Sequence, residues 1–331
     1  MKIRFLMFVV VLGGVTLPFD VHAKIALAKV RIQVVDQDGC FVPDAKIWGG
    51  FTCGLGMNDF IQVDGVTDTN GVFVAQGKCN EFLRFEVRKE GYYRTEEKIF
   101  FGRSKANPII VDGKWQPYGD SRTVVLKKIQ NPVMMRGATS YVDFKIPAYN
   151  HWLGFDFDEN QFVTPYGNGK NADVLLRFSL QETGRNDYHM RMDISFTNQL
   201  FSGAYVMKKD LKSDMASVYS ADTNAIYSQT FSYQYDRPRI ISDAAEKLCA
   251  DEYFVFRTRT EVVNGALTSA RYGKIYGPWH YVGPRGMSIS GVYFNPVLND
   301  TNLEDAETAR KSLLLYKRHE ELVSSTRRDL K

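Results

Sequence analysis

The residues best suited to do chemistry lie in one short stretch, GFDFDEN at positions 154–160. Asp156 and Asp158 fall on one side of an extended chain, about 6.5–7 Å apart, with Glu159 just beyond. Glycoside hydrolases use two carboxyl groups about 5–10 Å apart, flanking the bond to be cut. The spacing therefore permits glycan hydrolysis, although catalytic pairs mostly come from different strands. Next comes VTPYGNGKNAD at 163–173, a Gly/Asn-rich loop whose amides and Lys170 suit an anion. Turns around Gly167 and Gly169 explain it without a ligand. His189, Arg191 and Asp193 share a strand face and could bind an anion or relay a proton. The solvent side of an amphipathic strand produces the same pattern more simply.

Other chemistries are poorly supported. DTNG at 68–71 has the look of an oxygen-rich calcium loop. Setting Gly71 at the sixth position of an EF-hand puts Val66 first and Gly77 twelfth, so both outer ligands are missing. Asp68 and Asn70 are better read as turn formers, with Gly71 at positive φ. The chain lacks a Gly-x-Ser-x-Gly elbow, a His-Glu-x-x-His zinc motif, a phosphate loop and a dinucleotide fingerprint. His151, His189 and His280 have no ligand-type residue at helical zinc spacing. No metal or other cofactor is expected. The tryptophans remain: Trp48, Trp115, Trp152 and Trp279. Trp115 with Tyr118, and Trp279 with Tyr281, sit in loop-like contexts where flat rings could stack on a sugar. Core or inter-domain packing is the competing reading.

These groups need a scaffold, and the chain supplies one suited to export. Lys2 and Arg4 precede a mostly apolar run from Phe5 to Leu17, and Val21 and Ala23 place small residues before a cleavage point. This is the layout of a signal peptide over residues 1–23. The run is well short of the roughly 20 residues that cross a bilayer, and no later stretch is long and apolar enough to do so. The formal charge of +4 gives no argument for nucleic acid. Four cysteines, Cys40, Cys53, Cys79 and Cys249, suggest two disulfides with three possible connectivities. Their spacing does not match a zinc site.

The first part of the mature chain alternates. Ala28, Val30, Ile32 and Val34 share one face, and Lys29, Arg31 and Gln33 the other. Turn residues follow at Asp36–Gly39, then strands over Ala45–Phe51, around Leu83, Phe85 and Val87, over Glu97–Phe101 and over Thr123–Lys128. Short strands with turn signals between them predict a β-sandwich. The stretches VRIQVVDQDGCFVPDAKI, GVTDTNGVFVAQG and FEVRKEGYY resemble the carboxypeptidase regulatory-like domain, a prealbumin-like (Ig-like) sandwich of exported bacterial proteins, over roughly residues 28–128. Such domains serve as structural or adhesive modules, and fold alone does not assign function. The resemblance implies that Cys40 and Cys79 share one end of the sandwich and pair, which leaves Cys53 for Cys249.

Beyond Pro132, strands resume. Val174, Leu176, Phe178 and Leu180 alternate with Leu175, Arg177 and Ser179, and Tyr188, Met190, Met192, Ile194 and Phe196 with His189, Arg191, Asp193 and Ser195. Phe254 and Phe256 begin another strand, and Asn264-Gly265 marks a hairpin. Residues 241–252 read as a short helical turn. IQNPVMMRG, the 154–178 stretch, GKIYG and YFNPVLNDTNLE resemble an uncharacterised family of exported bacterial proteins, in which a regulatory-like sandwich precedes a β-rich domain without assigned activity. The segment after residue 300 departs from that family and reads as a helix, with Ala306, Ala309, Leu313 and Tyr316 on one side.

The expectation is an all-β chain: a sandwich over 24–130, a second antiparallel β domain over 131–300, and a helical tail over 301–331. In function it reads as an exported, non-enzymatic binding or structural module, periplasmic or extracellular, whose partner is an envelope protein or polysaccharide. Trp115, Tyr118, Trp279 and Tyr281 are its candidate binding residues. The alternative is a glycan hydrolase using Asp156 and Asp158.

Overall fold

The structure, a computed structural model, describes residues 25–329 apart from 55–58, 102–109, 138–141, 185–186, 238–250, 278, 282–284 and 290. Residues 1–23, read as a signal peptide, and Cys249 lie outside the described residues, as does the predicted helical turn over 241–252 except for its last two residues, of which Glu252 opens a strand. Among the described residues the fold is all-β with one C-terminal helix.

Among the described residues, nine strands build the first unit: β1 (Ala26–Asp36), β2 (Lys46–Thr52), β3 (Phe60–Val66), β4 (Val72–Cys79), β5 (Phe82–Arg88), β6 (Thr95–Phe100), β7 (Ile110–Val111), β8 (Lys114–Trp115) and β9 (Asp120–Leu126). β1 is the axis of one sheet. β4 runs antiparallel on one side of it, and β8 and β9 pair parallel along the other. The facing sheet has the order β3-β2-β5-β6, antiparallel throughout. The inward residues of both sheets interlock in one core: Ala28, Val30, Ile32 and Val34 from β1 meet Ile47, Phe51, Leu83, Phe85 and Val87. These are the residues that the two-residue period marks as apolar, so burial of one face selects the register.

Asp68 turns the chain into β4. Its Oδ1 accepts from the Asn70 and Val72 amides at 2.9 and 2.8 Å, and Gly71 has φ +70°.

The predicted Cys40–Cys79 pairing is corrected. β1 and β4 are antiparallel with Ala26 opposite Cys79, so Cys79 lies beside the start of β1 while Cys40 lies beyond its end. An 11-residue strand separates the two ends. Cys40, Cys53 and Cys79 are free thiols.

The second unit has three sheets. β10 (Val142–Lys145), β19 (His280–Tyr281) and β20 (Gly286–Ile289) form the smallest. β11 (Trp152–Asp156), β12 (Gln161–Phe162), β13 (Val174–Gly184), β14 (Asp187–Ser195) and β16 (Thr230–Arg237) form a second. β15 (Gly203–Lys208), β17 (Glu252–Val263), β18 (Ala266–Ile275) and β21 (Val292–Phe294) form the third. Phe155, Leu176, Phe178, Met190, Met192, Phe254, Phe256, Met287 and Phe294 share the main core. The opposite face of the third sheet is also buried, through Tyr253, Val255, Ala270 and Tyr272 against Leu303 and Ala221. The β17–β18 hairpin turns at Asn264 and Gly265, with φ +52° and +77°, the backbone a two-residue turn of that type needs.

Residues 209–221 reach back onto the first sandwich. The Glu96 amide donates to the Lys212 carbonyl at 2.7 Å, the Asp214 amide to the Arg94 carbonyl at 2.9 Å, and Lys127 Nζ to the Met215 carbonyl at 2.7 Å. The helix α1 (Ala306–Asp329) starts at Asp305, whose Oδ2 accepts from the Thr308 amide at 2.8 Å. Its first turns dock on the body. Ala309 and Ser312 are buried, the Leu315 carbonyl accepts from Arg88, and Lys46 lies over the Tyr316 ring at 4.5 Å.

Candidate functional site

Asp156 cannot serve as an acid or base toward a substrate. It is fully buried. Its Oδ1 accepts from the Asp158 and Glu159 amides and from Arg259, and its Oδ2 from the Lys170 and Asn171 amides. Burial alone would raise its pKa; the amides of Asn171, Glu159 and Lys170, together with Arg259, outweigh burial and lower it. Asp158 faces Arg136 and Arg259 at 3.3 and 3.5 Å. The hydrolase alternative is therefore corrected: this carboxylate organises a turn. The Gly/Asn-rich loop supplies two of its donors, so the amides that sequence reading offered to an anion are directed at Asp156.

Asp193 is likewise engaged within its sheet, accepting from Arg177, Arg191 and Ser232. His189 Nδ1 lies 2.8 Å from Asp236 Oδ1. His189 and Arg191 stand on the outer side of the strand, and Asp193 is buried beneath its partners.

The four proposed aromatic residues do not form one site. Trp115 is buried in the first core, where its Nε1 donates to the Cys79 carbonyl at 2.8 Å and its ring lies 6.3 Å from Phe101. Trp279 is buried in the second core, against Phe157. Both are packing residues, which corrects their assignment as ligand contacts. Tyr118 is half-buried, with Lys114 and Lys29 at 5.2 and 5.9 Å from its ring. Tyr281 lies in β19, with its side chain outside the described residues.

A different site is present on the outer face of the β3-β2-β5-β6 sheet. A groove of about 530 Å³ is lined by Trp48, Gly50, Phe60, Gln62, Arg84 and Glu96, among others. Strand register shows how it forms. Trp48 pairs with Asp64 and Glu86; Gly50 pairs with Gln62 and Arg84; Thr52 pairs with Phe60. Outward side chains thus stand in three rows across the sheet, and Gly50 interrupts the middle row. One wall of the resulting trough carries Trp48, which is 46% exposed. The other carries Phe60; Phe82 and Phe100 continue the row beyond the groove, their rings at successive spacings of 6.3 and 5.7 Å and covered by Lys98, whose Nζ lies 3.6 and 4.7 Å from them. Four residues of strand, about 13 Å, separate the walls. A side chain at position 50 would fill the floor, and its Cβ would meet the Ile61 carbonyl at 3.0 Å and Phe60 Cβ at 3.3 Å.

The trough's charged margin is internally paired. Arg84 Nε donates to Glu96 at 2.5 Å, and Glu86 accepts from Arg88 and, at 2.8 Å, from Arg94. Arg94 also holds Asp214 through Nε and Nη2, at 3.2 and 2.9 Å. The bonds to Asp214, and then to Glu86, raise the pKa of the Arg94 guanidinium against the effect of burial. A second hollow of about 390 Å³ shares Arg94 and Glu96 with the first and continues between Lys98 and residues 211–214. The arrangement offers flat apolar walls, an open floor and side chains that both donate and accept. Both carboxylates on its margin are bonded to arginine, which suits recognition better than proton transfer.

No family model matches the chain, and no curated protein matches it. Among solved structures it is similar to a DUF3823 family protein from Parabacteroides merdae ATCC 43184, at 12% identity over 81% of this chain and 98% of that one, with a TM-score of 0.20. It is similar to a putative carbohydrate binding protein from Bacteroides uniformis ATCC 8492, at 7% identity over 82% of this chain and 98% of that one, with a TM-score of 0.17. It is also similar to 3-chlorocatechol 1,2-dioxygenase from Rhodococcus opacus 1CP, at 14% identity, with a TM-score of 0.26. That match spans 31% of this chain and 61% of the enzyme. Scores this low carry no argument about what the chain does.

Proposed function

We propose that the protein is a non-catalytic binding module of the bacterial cell envelope, and that it takes a carbohydrate in the trough over β2, β3, β5 and β6. One observation carries this reading: Gly50 leaves an open floor between exposed Trp48 and Phe60, with Gln62, Arg84 and Glu96 on the margin. The C–H face of a sugar ring packs on an aromatic ring, while its hydroxyls both donate and accept. An amide, a guanidinium and a carboxylate beside an aromatic wall match that mixture.

Export is supported by the basic start and short apolar run of residues 1–23. Among the described residues no helix is long and apolar enough to cross a membrane. The first sandwich is read as a carboxypeptidase regulatory-like unit over 24–130, followed by a β-rich unit over 131–300 and a helical extension over 301–331. The separate hydrophobic clusters, drawn from residues 26–126 and 146–294, support that division.

The test is a glycan array probed with the protein, followed by calorimetric titration of retained glycans. Trp48→Ala is expected to weaken binding by about tenfold or more, since one aromatic stacking contact contributes about 1.5 kcal/mol. Failure of the wild-type protein to retain any glycan, or equal affinity in Trp48→Ala, would overturn the reading.

A further inference from the structure

Cys53 and Cys79 end two strands of opposite sheets at the same end of the first sandwich. Cys53 follows Phe51, which is fully buried, by two residues, so it continues the inward face of β2. Cys79 continues the inward face of β4 after Ala75 and is itself fully buried. Asn80 joins the two chain ends: its amide donates to the Thr52 carbonyl at 2.8 Å and its Nδ2 to the Gly54 carbonyl at 2.8 Å. Cys53 lies between those two acceptors, and Cys79 immediately precedes the donor. These two bonds draw the chain on either side of Cys53 against the chain that follows Cys79, and a disulfide needs Cα atoms roughly 4.4–6.8 Å apart. The two thiols are close enough to interact electrostatically, and the side chain of Thr52 contacts Cys79. Each sulfur now donates only a weak bond to a carbonyl, Cys53 Sγ to Asp59 at 3.3 Å and Cys79 Sγ to Phe82 at 3.4 Å.

We propose that Cys53 and Cys79 form a disulfide that joins the two sheets of the first sandwich at this end. The oxidant is an external disulfide, protein or small-molecule. Half-exposed Cys53 is the entry point, because Cys79 is buried and burial pushes its thiol up to about 11. The Cys53 thiolate attacks the external disulfide, forming a mixed disulfide and expelling one thiolate. The Cys79 thiolate then attacks Cys53 Sγ and expels the second. Two S–H bonds and the external S–S bond break, the Cys53–Cys79 S–S bond forms, and two electrons with two protons convert the external disulfide to two thiols. The bond closes the loop that contains β3 and leaves Cys40 at the far end of the sandwich.

The purified protein is equilibrated with oxidised glutathione, alkylated without reductant, digested and analysed by mass spectrometry. The expected product is one cross-linked peptide pair joining Cys53 to Cys79. Melting is compared before and after reduction. The oxidised form should melt at least about 5 °C higher, and Cys53→Ser should abolish the difference. Recovery of Cys53 and Cys79 both alkylated, linkage of either to Cys40 or Cys249, or a redox-dependent melting shift that persists in Cys53→Ser would overturn the proposal.

Discussion

Arg259 binds Asp173 through two N–H groups, Nε at 2.8 Å and Nη2 at 3.0 Å. The same Nη2 reaches Asp156 at 2.9 Å. Both carboxylates are fully buried. A bulge in β17 directs the side chain inward: register shifts between Thr258 and Glu261, and Arg259 has φ +50°. Burial raises the Asp173 pKa despite Arg259; for Asp156 burial acts the same way, but the amides of Asn171, Glu159 and Lys170, with Arg259, outweigh it and lower the pKa. One guanidinium therefore holds the 154–173 turn onto the third sheet.

Arg259→Ala should destabilise the protein by about 3–5 kcal/mol, because two buried carboxylates lose their counter-charge. Arg259→Lys should recover little of this, since an ammonium cannot reproduce the forked donor geometry. Urea unfolding measures both, and a loss under about 1 kcal/mol in Arg259→Ala would show that the carboxylates are satisfied without it.

Lys274 provides a pH signature. It is buried, donating Nζ to Ser217 Oγ at 3.0 Å and to the Leu303 carbonyl at 2.6 Å, with the Tyr276 and Tyr293 rings at 4.8 and 5.0 Å. Burial pushes its ammonium down to about 7, against the pull of Asp305 and Glu304. In the unfolded chain it holds its proton to about 10.4. Between those values the unfolded state binds more protons, so this group's contribution to stability rises with pH and is lost as pH falls toward 7. Melting temperature should rise from pH 7 to pH 9 in the wild type relative to Lys274→Met. Parallel curves would contradict the assignment.

Glu304 anchors the segment linking the two units. It accepts from Tyr93 Oη at 3.0 Å and from the Gln130 and Asn131 amides at 2.8 and 2.6 Å. Glu304→Ala should cost about 2–3 kcal/mol, as buried donors lose their acceptor. Hydrogen exchange should accelerate at the Gln130 and Asn131 amides. Unchanged exchange there would mean that other contacts hold the linker.

Local pattern revealed much of this fold. Alternation identified the inward residues of β1, β5, β13 and β14, Asn264-Gly265 placed the hairpin, and a helical stripe located α1. β3 was not legible, since the stretch Phe60–Val66 has mixed faces and follows a Gly-rich loop. The trough was hidden for a different reason. Trp48, Phe60, Arg84 and Glu96 come from four strands, and only cross-strand register makes them neighbours. Trp48 was visible as an aromatic residue, but its exposure was not. The cysteine pairing failed on the same point: antiparallel β1 and β4 bring the start of one to the end of the other.

The most direct measurement of the central claim is an NMR titration of the indole N–H signals of Trp48, Trp115, Trp152 and Trp279 with an oligosaccharide retained on the array. The Trp48 signal is expected to shift saturably, while those of buried Trp115 and Trp279 stay in place. A saturable response at Trp152 or Trp279 with Trp48 unmoved would place the ligand elsewhere and contradict the assignment of the β3-β2-β5-β6 face as the binding site.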